Sequence, residues 1–221
     1  QDVRFYLNGM LLQLRPGTLN VVTTDGHRLA LARYEMPDEP SSDQSADLII
    51  PRKAILELAR LLGQVDGNVV LHFSQGQIRV QVDRLRLTSK LIDGRFPEYE
   101  RVIPQHSDKH LVLDRERLRQ ALARCSIFSN DKFKGVRLTL GNGTLTLQSN
   151  NPEHEEAEEV LDVDYQGEAL EIGFNVVYLL DALTTMPGQN ITLSLRNADS
   201  SGLMTTSEEP TLRYVVMPMR L

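Results

Sequence analysis

The densest group of ionisable side chains is an acidic run from Glu153 to Glu159 that contains His154. Carboxylate and imidazole groups are common metal ligands, so one hypothesis is a metal-dependent enzyme that uses this run. The spacing is not that of a compact ligand set, and charge runs usually form a solvated face. We therefore predict no metal site and no cofactor, and keep the metal-dependent enzyme as an alternative.

A second candidate for chemistry is His27, which follows Asp25 and Gly26. Histidine beside a carboxylate can act in acid–base catalysis. The Thr-Asp-Gly-His pattern is more typical of a turn, however, and no serine or cysteine nucleophile stands nearby in the sequence. We predict that the protein is not an enzyme and that no residue is catalytic.

The C-terminal stretch from Tyr214 to Leu221 is unusual because it stays apolar to its last residue. Its β-branched residues stop at Pro218, which indicates a last strand leaving its sheet. Such a tail either closes its own core or forms one wall of a pocket for a partner. In the second case Met217 and Met219 would supply adaptable contacts.

Two basic helix faces are the third candidate, because arginine and lysine can contact phosphate groups. A helix over 114–126 places Arg117, Gln120 and Arg124 roughly along one face, and Arg52, Lys53 and Arg60 lie similarly on another helix. A solvated helix surface explains these residues equally well. The formal net charge of −6 argues against a broad basic surface, although it leaves room for a local one.

The composition indicates a globular protein with enough apolar material for real cores, since 41% of the 221 residues are hydrophobic and 24% are charged. No stretch approaches the length of a membrane span. The only cysteine, Cys125, excludes an internal disulfide framework and fits a reducing cytoplasm.

Hydrophobic periodicity and turn residues define the elements that must position these groups. We predict helices over 52–62, opened by Pro51, and over 114–126, with Asp114 as N-cap. Ile55, Leu58, Ala59 and Leu62 form the apolar face of the first helix, and Leu118, Leu122 and Cys125 that of the second. Strands are predicted at 8–14, 18–24, 28–34, 46–50, 69–73, 77–82, 84–89 and 110–113, with a loop at 36–45.

The sequence repeats itself. One constant shift carries Gly9 onto Gly135 and the hairpin turn at Gly17 onto Gly143, and a similar shift carries Leu58 onto Leu180. The order of strands, helix and strands repeats as well, which indicates two homologous domains in tandem. The first copy has no room for the strand and helix that open the second. We therefore expect them to lie upstream of Gln1, and we expect the first copy to expose apolar surface and an unpaired sheet edge.

Several motifs, in order and at these separations, resemble the bacterial DNA polymerase sliding clamp family, the β subunits of replicative polymerases. They cover essentially the whole chain and comprise Asp2-Val3-Arg4, Tyr6–Met10, Thr24–Leu29, Pro51–Lys53, Ser89–Leu91, Asp93–Pro97, Asn150–Pro152, Glu155–Glu159, Ile172–Asn175 and Tyr214–Leu221.

The resemblance implies an α+β DNA-clamp fold of tandem homologous domains, each with antiparallel sheets and two helices. Residues 1–107 would be the middle domain, without its first strand and helix, and residues 108–221 the C-terminal domain. In this family two protomers of three domains pair head to tail into a ring around duplex DNA. A fragment that lacks the first domain is not expected to close a ring with itself.

The resemblance also implies a hydrophobic cleft between the two domains that binds short linear motifs of polymerase subunits, the clamp loader and repair proteins. Asp199 stands where an apolar rim residue is expected, so the motif preference should differ. The implied lining is Leu7, Thr24, Gly26, His27, Arg28, Leu29, Pro97, Arg101, Val102, Asn175, Tyr178, Ser201, Val215, Val216, Met217, Pro218, Met219 and Arg220.

Two further surfaces follow from the resemblance. Contacts to DNA are implied for Gln1, Arg4, Phe5, Tyr6, Arg52, Lys53, Arg117 and Arg124, with Phe5 in place of a frequent tyrosine. The dimer interface of the full-length protein is implied for Ile127, Phe128, Glu153, Glu155, Glu156 and Glu159. Besides the processivity factor, a stand-alone peptide-binding module without ring function remains as an alternative.

Overall fold

The computed structural model describes residues 5–36, 45–74, 76–130 and 132–220. The chain divides into two compact units, and each is described by itself. Unit 1 comprises Gln1–Gly26 and Leu31–Glu98, and unit 2 comprises His27–Ala30 and Tyr99–Leu221. The predicted boundary near residue 107 therefore lies inside unit 2. No helix among the described residues is both long and apolar enough to cross a membrane.

The described part of unit 1 begins with a 3-10 turn at Phe5–Asn8, so Asn8, predicted as the first residue of a strand, lies just before that strand. The elements are β1 (Gly9–Arg15), β2 (Thr18–Thr24), β3 (Arg28–Glu35), β4 (Ala46–Pro51), α1 (Arg52–Leu62), β5 (Val70–Ser74), β6 (Gln77–Val82) and β7 (Leu85–Lys90). β1 pairs antiparallel with β2 and β4, and β6 pairs antiparallel with β5 and β7. The first three residues of β3 belong to unit 2.

Unit 2 begins with a 3-10 turn at Tyr99–Val102. Its elements are β8 (Lys109–Asp114), α2 (Arg115–Ile127), β9 (Gly135–Gly141), β10 (Thr144–Asn150), β11 (Glu156–Asp162), β12 (Leu170–Asn175), α3 (Val176–Thr185), β13 (Asn190–Leu195), β14 (Gly202–Thr205) and β15 (Arg213–Val216). One run of neighbouring strands is β11-β10-β9-β12, and another is β15-β14-β13-β8. The two helices pack against each other over the larger core.

The predicted repeat is confirmed at the level of single residues in the two hairpins. Leu14 lies opposite Leu19 in β1–β2, as Leu140 lies opposite Leu145 in β9–β10. Both turns place a glycine at positive φ, +71° at Gly17 and +77° at Gly143. Residues that carry a side chain rarely adopt a backbone conformation with positive φ. The shared glycine therefore favours the same turn in both units.

The helix predicted over 114–126 is confirmed as α2. Asp114 is its N-cap, and its carboxylate accepts a hydrogen bond from the Arg117 backbone N–H at 2.8 Å. Leu118, Leu122 and Cys125 are buried, as the spacing predicted. The apolar stripe and the cap together explain why the helix begins and packs where it does.

The apolar face predicted for α1 is only half right. Ile55 and Leu58 pack against the small core of unit 1. Ala59 is exposed and Leu62 is 38% exposed, so their assignment to the buried face was wrong. No residue of α1 is fully buried, because the core beneath it covers only a narrow stripe of the helix.

Candidate functional site

The C-terminal tail has a buried start and an accessible end. Val215 and Val216, the last residues of β15, are each 1% exposed, whereas Met217, Pro218 and Met219 are half-buried and Arg220 is exposed. The Met217 N–H donates to the His27 carbonyl, and the Met219 N–H donates to the Gly173 carbonyl, each at 2.9 Å. The tail after β15 is therefore held in place by its backbone. Leu221 lies outside the described residues.

A polar cluster fastens the segment His27–Ala30 to the rest of unit 2. The His27 ring stacks on Tyr178 with centroids 6.3 Å apart, and the Arg28 guanidinium lies 4.5 Å from the centroid of the same ring. Arg28 also donates to the Asp181 carboxylate at 2.5 Å and to the Tyr214 hydroxyl at 3.4 Å. These contacts give the His27 ring and the Arg28 guanidinium a structural role, because they hold this segment against α3 and β15.

The only cysteine is not placed for nucleophilic chemistry. Cys125 is fully buried in α2, and its Sγ points to the Leu147 carbonyl at 3.7 Å. Burial raises the pKa of its thiol to about 11, so the reactive thiolate is scarce near neutral pH.

A cavity of about 340 Å³ lies in unit 2 beside Met217. It brings together four of the residues that the sequence implied for peptide binding, Arg101, Val102, Ser201 and Met217. The remaining lining residues were missed, because they lie on loops with no periodic or motif signal of their own. They are Ile103, Pro104, Gln105, His106, Arg196 and Ser200.

A second cavity in unit 2, of about 540 Å³, lies beside the last described residues of the tail. Met219 and Arg220 line it together with the 55%-exposed Phe133 and polar residues of β9, β10 and β11. Met217 and Met219 thus contribute to different concave surfaces. Phe133 was missed from the sequence, where it follows a short polar segment without any pattern.

Several other implied pocket residues lie elsewhere in the two units. Leu7, Thr24, Gly26 and Pro97 belong to unit 1. In unit 2, Leu29 is buried, and Asn175 caps α3 by accepting from the Val177 N–H at 2.9 Å. Asp199, predicted as a rim residue, is exposed, and its N–H donates to the Asn197 side chain at 3.1 Å.

The basic residues of α1 differ in their availability. Arg52 and Lys53 are exposed in the first turn, and neither forms an ion pair within the described ranges. Arg60 is paired with Glu57 at 2.6 Å on the same helix. Upstream, Phe5 is 57% exposed and packs edge-to-face on Tyr6. Gln1 and Arg4, also implied to contact DNA, lie outside the described residues.

On α2, the residues implied to contact DNA also separate into two kinds. Arg117 is exposed, and no ion pair to it occurs in the part of the chain that the structure describes. Arg124 instead forms a two-pronged ion pair with Glu159 of β11, at 2.5 and 2.9 Å. This hydrogen bonding holds the pKa of Glu159 below its ordinary value. Arg124, implied for DNA, and Glu159, implied for the dimer interface, therefore bind each other in the isolated chain.

The acidic run forms a tight turn followed by an edge strand. Glu155 closes the turn by donating its N–H to the Asn151 side chain at 3.0 Å, and β11 begins at Glu156. Carboxylates along a strand point to alternate faces. Accordingly, nowhere in the described chain do three or more histidine, cysteine or acidic residues gather closely enough to hold a metal ion. Beside this edge, Ile127 is 72% exposed and Phe128 is half-buried.

Two homologous α+β units stand in tandem, and the second has a cavity beside an accessible apolar tail, which defines a tandem-repeat α+β protein with a candidate docking surface. Residues 100–220 match the family model described as DNA polymerase III beta subunit, C-terminal domain, and residues 1–98 match the model of its central domain. The chain belongs to the DNA polymerase III beta subunit family, which confirms the resemblance seen in the sequence.

Similar proteins agree with this assignment. The beta sliding clamps of Pseudomonas putida and Escherichia coli K12 are 51% and 47% identical to the chain, each over 221 residues. The crystal structure of the DNA polymerase III subunit beta from Pseudomonas aeruginosa superposes with a TM-score of 0.95 at 50% identity. In each comparison all of this chain is covered, but it spans only 60% of the other protein.

Proposed function

We propose that this chain is part of a sliding clamp, a non-catalytic processivity factor that acts in the cytoplasm during DNA replication. It tethers its partners to DNA and displays a docking site for their short linear motifs. The proposal is supported by membership of the DNA polymerase III beta subunit family and by relatives that are named beta sliding clamps. Polymerase subunits, the clamp loader and repair proteins are the proposed partners.

The observation that carries the docking site is the 340 Å³ cavity beside Met217. Its lining combines a flexible thioether, the aliphatic Val102 and a few polar groups, which is the usual make-up of a pocket for variable peptides. The backbone bond from Met217 to His27 holds the tail, so a ligand meets a preformed wall. Val215 and Val216 support this wall from the core rather than facing the ligand.

Two solved relatives suggest a probe for this site. Sliding clamps of Pseudomonas aeruginosa and Bartonella birtlesii, 51% and 38% identical to this chain, have been crystallised bound to griselimycin. We propose that this chain binds the same compound at the tail of unit 2.

Calorimetric titration of griselimycin tests the docking site. Met217→Ala should weaken binding about tenfold, because truncating a central contact in such a site costs more than about 1 kcal/mol. Met36→Ala, at a half-buried methionine of unit 1, is the matched control and should leave the affinity unchanged. Equal affinity of wild type and Met217→Ala would refute the assignment of the tail as the docking site.

Contact with duplex DNA is proposed for those members of the implied DNA-facing set that are exposed and form no ion pair among the described residues. They are Arg52, Lys53 and Arg117. They would face phosphates without reading bases, so binding should be independent of sequence and sensitive to salt. Arg124 would join them only if its bond to Glu159 opened.

Ring closure is proposed for the full-length protein as a head-to-tail homodimer. The candidate surface in this chain is the edge strand β11 with the neighbouring 72%-exposed Ile127. An open strand edge can pair with a sheet of a second subunit, and burial of the exposed Ile127 side chain beside it would favour that association. The acidic residues along the edge would favour a basic partner surface.

A further inference from the structure

The three-stranded sheet of unit 1, β5-β6-β7, has one face against the core and one face open to solvent. Ile78 and Val80 of β6 are buried on the inner face, where α1 packs against them. Because side chains alternate along a strand, the residues between them point the other way. We call this second surface the outer sheet face of unit 1. By strand register, its members are Val70, His72, Ser74, Gln77, Arg79, Gln81, Arg86, Thr88 and Lys90.

Three members of the outer sheet face, Arg79, Arg86 and Lys90, carry a permanent positive charge, and none is an aspartate or a glutamate. All three are exposed. Arg79 lies opposite Thr88, so Arg86 and Lys90, two residues to either side of Thr88, are its diagonal neighbours. Diagonal neighbours in a sheet are about 7–8 Å apart. Within the described part of the chain, no ion pair neutralises any of these three charges.

The acidic residues nearest in the sequence lie in the loops at the ends of these strands. Asp83 is in the turn between β6 and β7, and its carboxylate lies beside Gly67. Asp66 precedes β5, and Asp93 follows β7. The outer sheet face is therefore a local basic patch on a chain whose formal net charge is −6. Like charges placed so close together oppose folding, and a bound anion would relieve their repulsion.

The remaining members of the outer sheet face favour phosphate groups over other anions. Ser74, Gln77, Gln81 and Thr88 are hydrogen-bond donors of the kind that contact phosphate oxygens beside arginine and lysine. Val70 is the only apolar member, and no aromatic side chain belongs to this face. A protein partner usually needs apolar or aromatic anchors, and single-stranded nucleic acid stacks its bases on aromatic rings. Duplex DNA needs neither, because its backbone presents a dense row of phosphates.

The middle of the outer sheet face is concave. Arg79 and Thr88 line a cavity of about 220 Å³ together with His72, Ser74 and Gln77. These residues come from all three strands, so the sheet itself holds their backbones in place. A preformed surface loses less entropy on binding than a mobile loop does.

We propose that the outer sheet face of unit 1 binds the phosphate backbone of duplex DNA without reading its sequence, with Arg79, Arg86 and Lys90 as the main contacts. This site goes beyond the DNA contacts proposed for α1 and α2. It is separate from the α1 contact, because α1 packs on the inner face of the same sheet. Binding that relies on phosphate contacts is weak and falls steeply as the salt concentration rises.

Fluorescence anisotropy of a short labelled DNA duplex at low salt tests this site. Arg79→Gln/Arg86→Gln should weaken binding roughly tenfold and lower the slope of log affinity against log salt by about 1.8, since each phosphate contact contributes about 0.9. Arg95→Gln/Arg213→Gln is the matched control, because it removes the same charge from two exposed arginines outside this face. Equal effects of the two double variants would overturn the inference, since only the net charge would then matter.

A third double variant, Arg52→Gln/Lys53→Gln, separates this site from the contact proposed for α1. Adding Arg79→Gln/Arg86→Gln to it should weaken binding by the same factor as in the wild type. If the combined variant binds no more weakly than Arg52→Gln/Lys53→Gln alone, this inference fails and the α1 contact stands. If Arg52→Gln/Lys53→Gln has no effect by itself, the α1 contact fails and the outer sheet face stands.

NMR titration of the labelled wild-type chain gives a second measurement that requires no variant. Addition of the duplex should shift amide signals of β5, β6 and β7. Shifts confined to the helices, or no binding at all, would overturn the inference. Single-stranded DNA and poly-glutamate of equal charge are the competing ligands. Tighter binding of either one than of the duplex would show that this face takes a different partner, and would overturn it as well.

Discussion

The two units carry the same hairpin, β1–β2 in unit 1 and β9–β10 in unit 2, but they bury their helices very differently. In unit 2, α2 and α3 each bury four residues. In unit 1, α1 buries none completely, and Leu56 is 60% exposed. The hairpins agree because their register depends on contacts between neighbouring strands, whereas helix burial depends on what else covers the helix.

The strands that follow α1 and α3 in the chain, β5 and β13, show the same contrast. In unit 2, β13 lies between β14 and β8. In the described part of unit 1, β5 has only β6 as a neighbour, and Val69 and Val70 are 46% and 47% exposed. At this edge, β5 contains no residue with a formal charge and no proline, which are the usual protections of an open sheet edge. Unit 1 is thus expected to be the less stable of the two.

The largest expected effect comes from truncating one leucine in each unit. Leu122→Ala in α2 removes a side chain with no exposed surface and should cost about 2–5 kcal/mol of unfolding free energy. Leu58→Ala in α1 removes a half-buried side chain and should cost about half as much. Urea denaturation followed by circular dichroism measures both. Equal losses would show that the two helices are packed alike after all.

Hydrogen exchange of the backbone amides should separate the helices without any substitution. Amides in the interior of α1 should exchange at least about tenfold faster than those of α2 and α3, because local opening of α1 exposes little additional apolar surface. Mass spectrometry of peptides covering each helix provides the measurement. Similar protection in all three helices would contradict the difference in stability.

A smaller effect is expected at the helix N-termini. Asp114→Ala removes the carboxylate that caps α2 and should cost about 1 kcal/mol. Pro51→Ala at the start of α1 is the control, because Pro51 makes no side-chain cap hydrogen bond and has none to lose. Thermal or urea unfolding of both variants tests this contrast, which fails if Pro51→Ala is the more damaging change.

The smallest effect concerns two ion pairs and their dependence on pH. The Arg124 guanidinium lowers the pKa of Glu159 from its ordinary value of 4.5. A carboxyl group whose pKa is lowered in the folded state stabilises the fold at pH values above its ordinary pKa. This stabilisation is lost as the pH falls through the lowered pKa. Below about pH 4.5, wild-type stability should therefore fall more steeply than that of Glu159→Gln.

Glu57→Gln in unit 1 is the matched comparison for that ion pair. Arg60 lowers the pKa of Glu57, as Arg124 lowers that of Glu159. Both Arg60 and Glu57, however, lie on one exposed helix, where solvent screens the interaction. Its curve of urea midpoint against pH should stay closer to the wild type than that of Glu159→Gln. Superimposable curves for all three proteins would mean that the link between α2 and β11 adds nothing to stability.

Features that depend on near neighbours in the sequence were predicted well. Asp114 was recognised as an N-cap from its position before an apolar stripe, and both hairpins were recognised from their glycine turns. The face of α1 was predicted less well, because periodicity shows which residues could be buried but not how wide the covering surface is. Leu62 fits the stripe and still remains 38% exposed.

The sequence by itself determined the tandem repeat, the helix starts and the family, because all three rest on local patterns and their order. It also singled out the apolar tail as a candidate docking site, which stays a prediction. Only the tertiary structure decided that Arg124 binds Glu159, and that Arg196 shares a cavity with Met217. Those pairs are distant in sequence. The first meets because α2 packs beside β11, and the second because two loops come together next to the end of β15.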